Sequence, residues 1–167
     1  FQDYLKSIGI DIEILLQRAE VPNKLWQEEI NLTTLEYYRL LQELDKEMTE
    51  EHILALSQIS KIQMFVTAFF ASLSSPNGME ALRRFAHFKK IVGPIDVDII
   101  EAENTVSVSY KFTHNNMELP KFSVLNEQLL TLSIIQTGVG ERVLPLVVES
   151  PFDYDSKTLE EFGLPVQ

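Results

Sequence analysis

The chain has no cysteine, so disulfides and thiolate chemistry are excluded outright. Its six glycines are spread singly, and none falls in a phosphate-cradling loop, a dinucleotide fingerprint or a G-x-S-x-G turn. Nucleotide-dependent and serine-nucleophile catalysis therefore lose their usual signatures. Positive charge is scarce as well: 14 Lys and Arg stand against 25 Asp and Glu, for a net charge of −11, so the chain by itself should repel the phosphates of nucleic acid. Long hydrophobic runs are missing too. The longest, Met64 to Leu73, is about half the roughly 20 residues a membrane crossing requires. The chain opens at Phe1 without an initiator Met, a basic n-region or a small-residue cleavage site, so it reads as an excised fragment and not as a mature secreted protein. Together with the missing cysteines, this fits a cytoplasmic origin.

What is present is ordinary globular material. The chain has 167 residues, 45% of them apolar and 23% charged, enough for one domain over 1–167 with a substantial core. Hydrophobic spacing predicts an N-terminal layer of helices. Phe1, Tyr4, Leu5 and Ile8 stop at Gly9; Asp11 caps a helix carrying Ile12, Leu15, Leu16 and Ala19, which ends at Val21-Pro22; Asn23 caps a short piece with Trp26. Thr33 and Glu36 form a capping box ahead of helix 34–48, whose stripe is Leu35, Tyr38, Leu41, Leu44 and Met48. Helical spacing continues from Ile53 to Leu73 with a break near Ser57 to Ser60. Ile62, Phe65, Val66, Phe69, Phe70 and Leu73 cover so wide an arc that the core is expected there. After Ser75-Pro76-Asn77-Gly78, a further stripe of Met79, Leu82, Phe85 and Ala86 runs to Gly93-Pro94.

The period then changes. Ile95, Val97 and Ile99, followed by Val106, Val108, Tyr110 and Phe112, alternate with small or polar residues across Glu103-Asn104, which predicts an antiparallel hairpin. Pro120 opens a helix with Phe122, Leu125, Leu129 and Leu132 that should stop by Gly138, Arg142 to Val148 reads as a central strand, and Ser156 caps a last short helix closed by Gly163. The expected class is α+β: a helical layer followed by a small mixed sheet, the hairpin plus the later strand, with helices packed on it.

Chemistry-bearing residues are few. None of His52, His87 and His114 has a second His or Glu at metal-pair spacing on a helix, His114 lying in a polar loop, so neither a metal nor a cofactor is implied. Glu127, Asp96 and Glu149 are better read as solvated faces than as acid–base groups. The anomaly is a basic cluster, Arg83, Arg84, His87, Lys89 and Lys90, in an acidic chain. At 100° per residue Lys89 projects with Leu82, Phe85 and Ala86 onto the inward face. A buried ammonium needs a partner. Lys89 must snorkel outward, meet an internal carboxylate such as Asp96 or Asp98, or hold an acidic ligand. Phe65, Phe69, Phe85 and Tyr110 are the candidate walls of a cavity beside it, although aromatics at helical spacing are more often simply core.

The stretch Phe69-Phe70-Ala71-Ser72-Leu73-Ser74-Ser75-Pro76-Asn77, then Ala81-Leu82-Arg83-Arg84 and Phe88-Lys89-Lys90-Ile91-Val92-Gly93-Pro94, resembles the arabinose-binding-type N-terminal domain of AraC-family transcription regulators. Gly9-Ile10-Asp11, Leu32-Thr33-Thr34 and Phe162-Gly163-Leu164-Pro165-Val166 follow in the same order as in that domain. Gly78 departs from it, standing where many relatives carry Leu, which puts the start of the following helix in doubt. The resemblance implies a cytoplasmic bacterial sensor, not an enzyme, that binds a small effector, forms a homodimer and biases an attached helix-turn-helix domain absent from this chain, through which alone it contacts DNA. Arabinose itself is not implied. Lys89 is then the expected charge partner of an acidic effector, with Phe65, Phe69, Phe85 and Tyr110 around it. Two other classes remain open: a dimerisation or protein-interaction module without a pocket, and an unrecognised hydrolase.

Overall fold

The computed structural model describes residues 2–27, 31–58, 77–113 and 117–165. Seven helices and one β-hairpin make up the regular structure among them: α1 (Gln2–Ser7), α2 (Ile12–Arg18), α3 (Thr34–Glu47), α4 (Glu50–Leu56), α5 (Gly78–Val92), β1 (Ile95–Glu101), β2 (Val106–Phe112), α6 (Lys121–Val139) and α7 (Ser156–Glu161). The class is α+β. Phe65 and Phe69, together with the predicted helix core through Leu73, lie outside the described residues.

Local chemistry sets most boundaries. Gly9 takes φ +82°, the left-handed conformation that ends α1. Asp11 caps α2 by accepting from the Glu13 N–H, and the Thr33–Glu36 capping box is formed in both directions, at 3.2 and 2.8 Å. α3 buries Leu41 and Leu44, but Leu35 is 54% exposed, so the predicted stripe begins one turn later than the spacing suggests. The last helix is capped by Asp155 rather than Ser156, which is its first residue.

The hairpin pairs Ile95 with Phe112, Val97 with Tyr110 and Ile99 with Val108, so the apolar alternation falls on one face as expected. The sheet stops there. Residues 142–148 form no strand: Pro145 has no N–H to give a ladder, and Leu144, Leu146 and Val147 are 49, 83 and 71% exposed instead of centrally buried. The segment is held instead by side chains of α6. Gln136 accepts from the Val143 N–H, and Gln128 donates to the Glu149 carbonyl.

α6 is the organising element. It is apolar almost all round, the pattern of a helix covered on every side. Its proline start has no side-chain cap, and Asp45 of α3 accepts from the Phe122 N–H in its place. One face, Phe122, Leu125, Leu129 and Leu132, closes the larger core against α1 to α4. The opposite face, Leu130 and Ile134, closes a smaller core with Ala81, Leu82, Phe85, Ala86 and Val97 from α5 and β1.

α6 runs past Gly138 and ends at Gly140, with φ +84°. Gly138 serves a different purpose: a Cβ there would lie 2.7 Å from the Gly78 Cα, so the two helix backbones touch at this point. That contact accounts for glycine at the start of α5, where Asn77 still caps by accepting from the Glu80 N–H. α7 is fastened to α4 by Glu50, whose carboxylate accepts from the Asp155 N–H and the Thr158 hydroxyl and pairs with Lys121.

Candidate functional site

The basic cluster of α5 resolves into separate roles. Arg83 and Arg84 are exposed and pair with Glu101 and Glu80. Such pairs add at most about 1 kcal/mol each. Lys90 lies in the last helical turn, where cations are favoured by the helix dipole. Lys89 turns inward as its angular position requires, leaving its side chain only 14% exposed beside the fully buried Phe85, whose ring centroid is 5.8 Å from the ammonium.

The Lys89 ammonium is joined to the carboxylate of Glu127 on α6. The sequence reading named Asp96 and Asp98 as internal partners; Asp98 instead pairs at the surface with Lys111, at 3.0 Å. Glu127, read from sequence as a solvated face, is 2% exposed. Burial is the largest single influence and pulls the ammonium toward neutrality, but the Glu127 charge, Tyr37 and the hydrogen bond to Glu127 together hold the Lys89 pKa above its ordinary value. Lys89 therefore carries its charge around neutral pH.

Two phenols attend it. Tyr37 of α3 has its pKa raised, chiefly by burial, with Lys89 pulling it down and Glu127 pushing it up. Tyr110 of β2 shares a 2.5 Å hydrogen bond with Thr131 of α6, and burial raises its pKa far beyond the ordinary range. Both rings stay protonated and add no charge.

Viewed along α6, the polar groups form a row. Ser123, Glu127 and Thr131 recur every four residues on the face turned toward α5 and the hairpin, and all are buried, at 3, 2 and 6%. Thr131 is satisfied by Tyr110. The second carboxylate oxygen of Glu127, Oε2, and the hydroxyl of Ser123 have no hydrogen-bond partner among the described residues. Buried polar atoms in native proteins are nearly always paired, so two at one-turn spacing mark a place where a donor belongs.

Of the residues expected at the site, the structure thus brings Lys89, Phe85 and Tyr110 to one region, while Phe65 and Phe69 fall outside what is described. Sequence reasoning missed Glu127, Ser123, Thr131 and Tyr37. The signal for the first three was faint: they share four-residue spacing, but Asn126, Gln128, Ser133 and Gln136 of the same helix mask it. Tyr37 carried none, since it comes from an element far away in the chain.

Two open cavities occur elsewhere. One, of about 430 Å³, lies along α2 and is lined by Asp11, Ile14, Leu16 and Val21; the other, of about 340 Å³, lies between α4, α6 and α7, over Leu54, Leu129 and Leu132 with Lys157 and Glu161 at its rim. Lys89, Phe85 and Tyr110 line neither. Among the described residues no group of three or more His, Asp or Glu is placed to hold a metal ion, and no helix is long and apolar enough to cross a membrane.

Comparison with curated proteins gives no match. Residues 9–167, nearly the whole chain, match the family described as the arabinose-binding domain of AraC transcription regulators, N-terminal. The elements from α2 onward, including the Lys89-bearing helix, and the closing Phe162-Gly163 turn lie within the matched span. The chain belongs to this family of regulatory, effector-binding domains, which is not an enzyme family.

Proposed function

We propose that residues 1–167 form a single bacterial, cytoplasmic sensing domain that binds a small-molecule effector around Lys89 and Glu127 and controls an attached helix-turn-helix domain. Phe85 and Tyr110, with Phe65 and Phe69 of the neighbouring segment, are its walls. The domain acts as a homodimer and touches DNA only through that further domain. It catalyses no reaction.

The observation that carries this reading is the buried ion pair between α5 and α6. Replacing such a pair with packed apolar side chains is often neutral or stabilising, so stability alone gives little reason to keep it. A binding site does. An effector lodged there touches α5, α6 and, through Tyr110, the hairpin, and so favours one arrangement of these elements over another. α7, fastened to α4 by Glu50, carries that arrangement toward the C-terminal end.

A thermal-shift screen with amino acids, organic acids, fatty acids and sugars tests the proposal. A ligand at a hundredfold excess over its Kd adds about 2.7 kcal/mol, a rise in Tm of about 5 to 10 °C for a domain of this size. The shift is expected to vanish in Lys89→Met; an unchanged shift there moves the site elsewhere.

A second reading is favoured by one observation, the exposure of Leu144, Leu146 and Val147 on a segment without β partners. Such residues suit a protein-interaction module. A panel without any thermal shift, combined with a dimer in sedimentation that is lost in Leu146→Asp, decides for that reading.

A further inference from the structure

We infer that Glu127 Oε2 and Ser123 Oγ form a subsite that receives an uncharged hydrogen-bond donor of the effector, an alcohol O–H or an amide N–H. This rests on the effector-binding reading above and deepens it by naming the chemical class that the subsite accepts.

Two lines of argument converge. The first is satisfaction. Both atoms are buried and unpartnered among the described residues, on side chains one helical turn apart on the same face of α6. A carboxylate oxygen only accepts, whereas a serine hydroxyl accepts and donates. A ligand O–H or N–H pointed at Oε2, with its own oxygen within reach of Ser123, completes both.

The second is charge. Lys89 and Glu127 already neutralise each other beside the apolar Phe85, Leu130 and Ile134. A ligand carboxylate brought to the same place leaves a net negative charge out of water and competes with Glu127 for one ammonium; a ligand ammonium leaves a net positive one. An uncharged donor disturbs neither balance. The neighbouring phenols do not alter this, since Tyr110 is committed to Thr131 and both rings are neutral. Lys89 is thus already engaged with Glu127, whose second oxygen is left to accept, rather than being the group that grips an acid.

The test uses the intact chain and probes that share a hexyl chain but differ in head group: hexanol, hexanamide, hexanoate and hexylammonium, each titrated at millimolar concentration and followed by amide NMR shifts. Hexanol and hexanamide are expected to bind with shifts at residues 123–131, at least about tenfold tighter than either charged probe. Ser123→Ala is expected to fold with undiminished Tm, because its hydroxyl serves no partner in the protein, and to weaken hexanol and hexanamide by about tenfold, the loss of one well-formed hydrogen bond.

Hexanoate binding tightest overturns the inference and leaves Lys89 as an acid receptor, with the sensing role intact. Unchanged affinity in Ser123→Ala, or a fall in its Tm, overturns it equally, the first meaning that ordered water alone occupies the spot and the second that the hydroxyl is structural. Binding by no probe also overturns it, as the spot is then closed to ligands. The sensing role is judged separately, by the metabolite panel.

Discussion

The two sides of α6 offer a comparison within one helix. Toward α1 to α4 it presents Phe122, Leu125, Leu129 and Leu132, a drier surface whose flanking Asn126 and Ser133 are satisfied by Ser57. Toward α5 and the hairpin it presents Ser123, Glu127 and Thr131 among Leu130 and Ile134. Burial is similar on both sides, so exposure does not separate them; what differs is that the second side holds a charge pair and two polar atoms without partners. On the proposed reading, that second side serves a ligand rather than the fold. The lesson is that depth of burial identifies a core, whereas unspent hydrogen-bonding capacity within it identifies where something else belongs.

The comparison is most severely tested at Glu127. Glu127→Leu strands the Lys89 ammonium in an apolar setting and is expected to lower the unfolding free energy by about 3–5 kcal/mol in urea titration. Adding Lys89→Met should restore most of it, because the pair is then replaced by packing. A double variant no more stable than the single one shows that the polar side holds the fold as firmly as the dry side does, and the contrast drawn here collapses.

Leu125→Ala sharpens the contrast from the other direction. The residue is fully buried on the dry side, and the cavity left behind is expected to cost about 2–5 kcal/mol. Effector binding measured well below the new Tm should be unaffected. Lost affinity in this variant couples the two sides and removes the division of labour between them.

The smallest effect concerns pH. Lys89 and Tyr110 both have folded pKa values above their ordinary 10.5 and 10.0, so the stability they contribute is complete below those values and is lost as pH rises through the folded ones. Melting temperature is expected to be insensitive to these groups at neutral pH and to fall above about pH 10. Tyr110→Phe removes one of the alkaline contributions, among which Tyr37 also counts, and leaves Thr131 without its partner, a loss of about 1 kcal/mol at neutral pH with a shallower alkaline decline. An alkaline slope identical to that of the parent chain takes Tyr110 out of the account.

Legibility in the sequence followed range. Elements governed by neighbours along the chain were readable: the Asp11 cap, the Thr33–Glu36 box, the Gly9 stop, the hairpin register and the inward turn of Lys89 each depend on a few adjacent residues. Errors came where a distant contact decided. Gly138 looked like a helix stop because its close approach to Gly78 is invisible in sequence, and 142–148 looked like a strand because its apolar composition outweighed Pro145. The site divided in the same way. Lys89 was found from angle alone, but its partner lies 38 positions further on in a different helix, and the nearer Asp98 was an equally good guess until Lys111 was seen to take it.

The touching backbones of Gly78 and Gly138 have a mechanical consequence. With no side chain between them, the first turn of α5 is pinned against α6, whereas further along Phe85, Ala86 and Phe88 pack through side chains and the Lys89–Glu127 pair joins the two helices. Lys89 lies about 16 Å along the axis from that pin, so a tilt of only about 5° swings it by more than about 1 Å. The helix is thus a lever with its fulcrum at the glycines. An effector lodged beside Glu127, as proposed, would act on the long arm, where a small force produces the most travel.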